Sequence, residues 1–262
     1  MLKMMKLEMR RNHLGSYITA SIISGIVLIG FMYFVAYVAQ VENEPDFQTY
    51  SNIFLFTSIV SMILFSVLSS VMYARFVIEE YSGTRLLLLF SYPVNRKKVL
   101  LAKVGIVVLF TTIAMIICNI PAVLIFSLTE SFIPIVSDTL SIGLLMSIIK
   151  MIFVLSISVN GICIIAMRIG FVKKSIPTTI VTSFILSAVF ANAMIGSIGN
   201  DAILFSLLIL VVAAGTFILW EVSGNFKSDF PLISEGKLYT YLQARRNYSA
   251  EVRGGEFSLK KQ

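Results

Sequence analysis

"IFLFTSIVSMILFSVLSSVMYA", residues 53–74, runs without a single charge. As a helix rising 1.5 Å per residue it would cover about 33 Å, enough to cross the roughly 30 Å hydrocarbon core of a bilayer. Five further runs match it in length and character: Ser16–Ala39, Val104–Leu128, Leu140–Met167, Ile176–Ile198 and Ala202–Val222. The run from Leu140 is overlong and carries Lys150, so its ends are the least sharply marked. In lipid a helix satisfies all its backbone hydrogen bonds internally, and nothing here alternates as a barrel strand would. The expected fold is an all-α polytopic membrane protein with six transmembrane helices.

Composition agrees. The 262 residues are 57% hydrophobic and 13% charged, with a mean hydropathy of +0.90. Soluble domains carry about 25% charged residues. Cys118 and Cys163 both lie in apolar runs, so they read as buried thiols rather than a disulfide framework or zinc spacing. His13 is the single histidine, which excludes a multi-histidine metal site.

The basic residues set the orientation. Every one of the 21 lysines and arginines except Lys150 falls in the N-terminal segment, the connections after the second and fourth runs, or the tail. The opposite side holds Glu42, Glu44, Asp46, Glu130, Asp138 and Asp201. The positive-inside bias puts both termini in the cytoplasm of a cell membrane, expected to be a bacterial plasma membrane. The net charge of +7 then faces anionic headgroups, and nucleic acid is not needed as a partner.

A basic start followed by an apolar run can signal a secretory leader, but Ser16–Ala39 is too long for one and the topology needs it retained. At 100° per residue Met1, Leu2, Met4, Met5 and Met9 gather on one side of a helix, and Lys3, Lys6 and Arg10 on another, with Leu7 outside the apolar arc. This predicts an amphipathic helix lying at the cytoplasmic interface; the alternative is a frayed basic anchor.

The largest connection, "EEYSGTRLLLLFSYPVNRKK" from Glu79 to Lys98, is charged at both ends of a leucine cluster. Val77–Phe90 has helix-forming content with a bend at Gly83, and Glu79 and Glu80 fall on the N-terminal side, where acidic groups suit the helix dipole. Pro93 forbids simple continuation, and Arg96–Lys98 mark re-entry at Val104. The expectation is a short amphipathic cytoplasmic helix, apolar enough to need a partner and charged enough to select one.

At these residues the chain resembles the ABC-2 type transporter permeases. The family's loop often reads as Glu, Gly-Thr, a leucine cluster, Pro, a basic residue, and Lys at the next helix. Here those places are filled by Glu79 or Glu80, Gly83-Thr84, Leu86–Leu89, Pro93, Arg96 and Lys103. The six-run layout and the basic amphipathic start match as well, so the resemblance covers about residues 1–225. It implies a coupling helix between the second and third spans, with Glu79, Glu80, Gly83, Thr84 and Arg85 at the surface that docks on a separate ABC ATPase subunit. It also implies a second permease protomer, either a homodimer or a related paralogue. ATP and Mg would be bound by the partner, and no cofactor by this chain. The residues agree independently on one point: there is no G-x-x-x-x-G-K-[ST], and the Gly236-Lys237 pair is followed by Leu238. Contact through the leucines would supply adhesion while Glu79, Glu80 and Arg85 set orientation. The plainer reading of these charges is a solvated loop, and of Arg96–Lys98 a membrane anchor.

Inside the spans, Lys150 is the most costly residue, since a charge at the bilayer centre costs about 2.5–3.5 kcal/mol on insertion scales. Either the segment before it is a separate interfacial or re-entrant piece and Lys150 an anchor, or Lys150 faces a polar cavity or helix interface. Asn119, Asn160 and Asn192 are candidates for the same translocation path, or for bonds between helices. Ser187 with Ala191, Asn192 with Gly196, and Ser21 with Gly25 are small-residue candidates for protomer contact. Pro121 is expected to kink the third span, and Pro177 suits the first turn of the fifth. The segment 226–262 is polar and reads as a cytoplasmic extension or a cloning remnant.

The function expected is the permease subunit of an ATP-driven exporter. The short acidic external loops and apolar helices suit an amphipathic or lipophilic cargo, such as an antimicrobial peptide or drug. The alternative is a carrier driven by an ion gradient, which would want acidic groups within the spans, and none lies in the interior of a run. An enzyme would need a nucleophile–base set that the lone His13 cannot supply.

Overall fold

The computed structural model describes residues 14–42, 49–79, 96–132, 141–173, 175 to 195 and 201–224. Among these residues all regular structure is helical: α1 (Gly15–Glu42), α2 (Tyr50–Tyr73), α3 (Arg96–Phe132), α4 (Ile142–Lys173), α5 (Ile176–Ile195) and α6 (Asp201–Gly224). A π-helical turn, Ala74–Ile78, continues α2 without a break. The chain divides into two units, Met1–Leu219 and Trp220–Gln262, and the second contributes residues 220–224 to the description.

Five helices are long and apolar enough to cross a membrane, spanning Gly15–Val41, Tyr50–Ile78, Lys98–Phe132, Ile142–Lys173 and Ile176–Ile195. This is a multi-pass membrane protein. In α6 the apolar stretch Phe205–Glu221 is shorter. α1, α3 and α6 contain their expected runs, α2, α4 and α5 cover most of theirs, and α3 and α4 also extend beyond them. At about 1.5 Å per residue the 37 residues of α3 make a rod near 55 Å, longer than any hydrocarbon core.

α2 is the central helix: it touches α1, α3, α4 and α5, and α5 also packs along α4. Its composition suits that place, because it can pack on several sides at once. Ser58, Ser61, Ser66, Ser69 and Ser70 are all buried, and small residues let neighbouring backbones approach closely. Hydroxyls left over are spent locally, as where Ser66 donates to the Ile63 carbonyl at 2.9 Å and Ser70 to that of Val67 at 2.8 Å. α5 meets the bundle through Thr179, Ser183, Ser187, Phe190, Ala191 and Met194, one stripe at helical spacing. Outward-facing positions are large and apolar, among them Ile22, Ile26, Ile113, Ile117, Phe184 and Trp220, as lipid contact requires.

At the acidic end of the bundle Phe126 is the hub of an aromatic cluster. Tyr33, Tyr50 and Phe54 have ring centroids 5.4, 6.4 and 5.7 Å from it, the latter two edge-on. Met32, Ala36, Ile53, Val123, Ile148 and Ile152 complete this core and tie α4 to α1, α2 and α3.

Several expectations change here. Ser21 and Gly25 make their close approach within the chain: a Cβ at Gly25 would lie 3.3 Å from Cys118 Sγ on α3, and that thiol donates to the Ser21 carbonyl at 3.3 Å. Ser187 and Ala191 are likewise consumed inside the chain. Gly196 lies outside the described residues. Val77 and Ile78 finish α2 instead of opening a new helix, because the apolar run outlasts Arg75 and nothing before Glu79 stops it. Glu79 therefore sits at the C-terminal pole of α2, not at an N-terminal one. Pro121 is carried inside the single helix α3, and Pro177 is second in α5.

Candidate functional site

The basic end of the bundle converges on the π-helical turn. In it the Glu79 N–H donates to the Ala74 carbonyl, five residues back, at 2.9 Å. The Ala74 N–H is shared between the carbonyls of Ser70 and Val71, four and three residues back. Each neighbouring element touches this turn. Tyr17 of α1 meets Phe76 edge-on, centroids 5.6 Å apart, and lies within electrostatic reach of Arg75 and Glu79. Gly170 of α4 leaves room for Thr179 of α5 and Ile78 of the turn: a Cβ there would meet the Thr179 hydroxyl oxygen and lie 2.8 Å from Ile78 Cδ1.

From α3 comes Lys103. Its side chain has no exposed surface, and its ammonium donates to the Phe76 carbonyl at 3.0 Å. The last carbonyls of a helix have no partner within it, and that pole carries partial negative charge, so a cation is well placed there. Sequence reading put Lys103 in the basic flank beside the membrane. It belongs inside the protein because α3 already begins at Arg96, which carries position 103 two turns into the bundle.

Between the helices, two asparagines make the contacts their type suggested. Asn119 Nδ2 donates to Ser61 Oγ and to the Met115 carbonyl, both at 2.7 Å. Asn160 Nδ2 donates to Thr112 Oγ1 at 2.8 Å and to the Ser156 carbonyl at 2.7 Å. Nearby the Cys163 thiol donates to the Ser66 carbonyl at 3.3 Å. These bonds lace α2, α3 and α4 together. Asn192 does not join them; it is exposed and bonds to the Ala188 carbonyl of its own helix at 2.9 Å.

Lys150 lies on one unbroken helix from Ile142 to Lys173, so the segment before it is not a separate piece. Its ammonium stands 5.1 Å from the centroid of the Phe205 ring on α6, a cation–π distance. Eighteen positions on comes Arg168, about 27 Å at 1.5 Å per residue, and no charge lies between them. Lys150 and Arg168 thus bracket a length close to one hydrocarbon core.

At the acidic end the Tyr50 hydroxyl donates to Glu130 Oε2 at 2.8 Å, and Glu130 is 4% exposed. Tyr33 and Thr129 share a hydroxyl contact of 2.6 Å beside it. Sequence reading placed Glu130 on the side opposite the basic residues, after the third run; the prolonged α3 draws it into the protein. Its position after an apolar run gave no sign of that. Ser61 has a signal in the sequence, since serine recurs along α2 at positions 58, 61, 66, 69 and 70.

The remaining candidates, Lys3, Lys6 and Arg10 of the expected interfacial helix and Glu80, Gly83, Thr84 and Arg85 of the expected docking surface, lie outside the described residues. Among the described residues no group of three His, Cys, Asp or Glu side chains is placed to hold a metal ion.

No protein-family model matches the chain, and no solved structure does. It is similar to a protein of Bacillus subtilis (strain 168) called "Uncharacterized protein YcbO", 25% identical over 195 residues, which are 74% of this chain and 86% of that protein.

Proposed function

We propose that this chain is the permease subunit of an ATP-driven exporter of the ABC-2 type. In this reading α6 completes six spans, both termini are cytoplasmic, and residues 1–13 supply an interfacial helix. Residues 80–95 hold the coupling helix, which docks on a separate ATPase carrying ATP and Mg. A second permease protomer completes the path for an amphipathic or lipophilic cargo. The observation that carries this reading is the position of the resembling loop. It leaves the bundle at Glu79, directly after a π-helical turn that contacts four other helices, and returns through α3, whose Lys103 holds that same turn. A loop rooted in this way is mechanically joined to the whole bundle, as a docking element must be.

The test is purification of the tagged chain from its native membrane in mild detergent. A vanadate-sensitive ATP hydrolase should accompany it in fixed stoichiometry, and the Glu79→Arg, Glu80→Arg double variant should insert normally yet lose that companion, because charge reversal turns complementarity into repulsion. Retained association in the double variant would remove the docking role.

Burial of Glu130 favours a second reading, the ion-gradient carrier, since a buried carboxylate is what such a carrier uses to bind its ion. Purified chain in liposomes decides. Cargo movement driven by a proton or sodium gradient without ATP, and lost in Glu130→Gln, would establish the carrier and displace the exporter.

A further inference from the structure

A lysine with no exposed surface is an expensive residue, and Lys103 directs its ammonium at a backbone carbonyl of a helix that has just left α geometry. π-helical turns accommodate one residue more than the α-helix allows, and they recur at functional sites. Exchanging the i→i+5 closure at Ala74–Glu79 for an α closure would turn whatever follows by about 100°, the twist of one residue in a 3.6-residue turn. Phe76 lies inside that closure, so its carbonyl would be re-aimed away from Lys103. The two arrangements are therefore mutually exclusive at one hydrogen bond.

The surroundings make that rotation consequential. The Phe76 ring rests on Tyr17 of α1, its carbonyl on Lys103 of α3, and Ile78 shares with Thr179 of α5 the space that Gly170 of α4 leaves. The turn cannot change register without disturbing four helices. Packed interfaces of this kind have discrete arrangements rather than a continuous range.

We infer that Ala74–Ile78 is a two-state joint latched by Lys103, and that displacement of the segment after Glu79 reaches the spans by releasing this latch. Lys103 is a positioning residue that acts through the Phe76 carbonyl. The direction of the signal rests on the permease reading above; the latch itself does not.

The latch is tested on the full chain alone, in lipid nanodiscs, by peptide-resolved amide hydrogen exchange. Lys103→Met keeps the length and removes the donor, and exchange at 74–79 should rise at least tenfold while 53–73 and 142–173 keep their protection. Lys103→Arg, which restores a donor, should return the turn to within about threefold of the parent chain. Unchanged exchange at the turn, or an equal rise in every helix, would overturn the latch. If Lys103→Met does not insert, Lys103→Leu, which likewise lacks a donor, replaces it, and a turn no less protected than in the parent chain counts equally against the proposal. With the ATPase partner present, Lys103→Met should leave association and basal hydrolysis intact and abolish stimulation by cargo. A loosened turn with normal stimulation would overturn the transmission. Absence of any ATPase would remove the permease reading while the exchange result still decides the latch.

Discussion

Ser61 and Asn119 face each other across α2 and α3 in a stretch where water is not available as a substitute partner. Interhelical bonds of this sort contribute about 0.6 kcal/mol on average and up to about 1.7 in membranes, because the unfolded chain also finds partners there. A double-mutant cycle with Ser61→Ala and Asn119→Ala, read by steric trapping or detergent unfolding, should give a coupling in that range; strict additivity would mean that the bond contributes nothing. The glycines divide more sharply. A Cβ at Gly161 would stand 2.5 Å from Val211 Cγ1 and 3.0 Å from the Val211 carbonyl oxygen, and a Cβ at Gly215 would lie 3.3 Å from the Gly161 Cα. Gly161→Ala should therefore destabilise by about 1–3 kcal/mol through overpacking. Gly30 has nothing within 4 Å, so Gly30→Ala should be neutral or gain up to about 1 kcal/mol in helix propensity, and the pair in one unfolding assay checks both. Lys150, bracketing the apolar length with Arg168, should behave as a boundary residue. Lys150→Cys in a chain lacking Cys118 and Cys163 should react with a membrane-impermeant maleimide from the acidic side, and complete protection would place it deeper.

Helix cores were legible from periodicity and lack of charge, and the ends were not. α3 shows why. Its apolar run ends at Leu128, but the helix continues to Phe132 because Tyr50 and Tyr33 receive Glu130 and Thr129, partners from other helices that local sequence does not announce. At its other end Lys103 looks like every membrane-flanking lysine until α2 is brought against it. The π-helical turn has no sequence signature, since Ala-Arg-Phe-Val-Ile suits an α-helix equally well; only packing against four helices selects it. Asn119 and Asn160 were readable, because a polar side chain in an apolar run often bonds a neighbouring helix, whereas Asn192 bonds within its own. The small-residue pairs misled for a related reason: Ser21 with Gly25 signals close approach, and the pattern does not say to whom.

For the molecule as a whole, the asymmetry of charge between its two ends is the property with the widest consequence. With native cysteines replaced, Asn43→Cys should be labelled by impermeant reagent on intact cells and Ser91→Cys should not; the opposite pattern would invert the protein, and labelling at both would change the span count. α6 meets α4 at Phe205, beside Lys150, and at Val211 and Gly215, beside Gly161. It also carries Trp220, the only tryptophan in the chain, 74% exposed at the surface of the protein. Trp220 is therefore a built-in depth gauge. Its emission reports on one helix end and nothing else, without any label. If α6 spans the bilayer with its tail end at the interface, the emission should lie between those of buried and fully hydrated indole. Lipids brominated near the headgroup should then quench it more strongly than lipids brominated at mid-chain. A helix lying free in water would escape both quenchers, and the count of spans could be read from a cuvette.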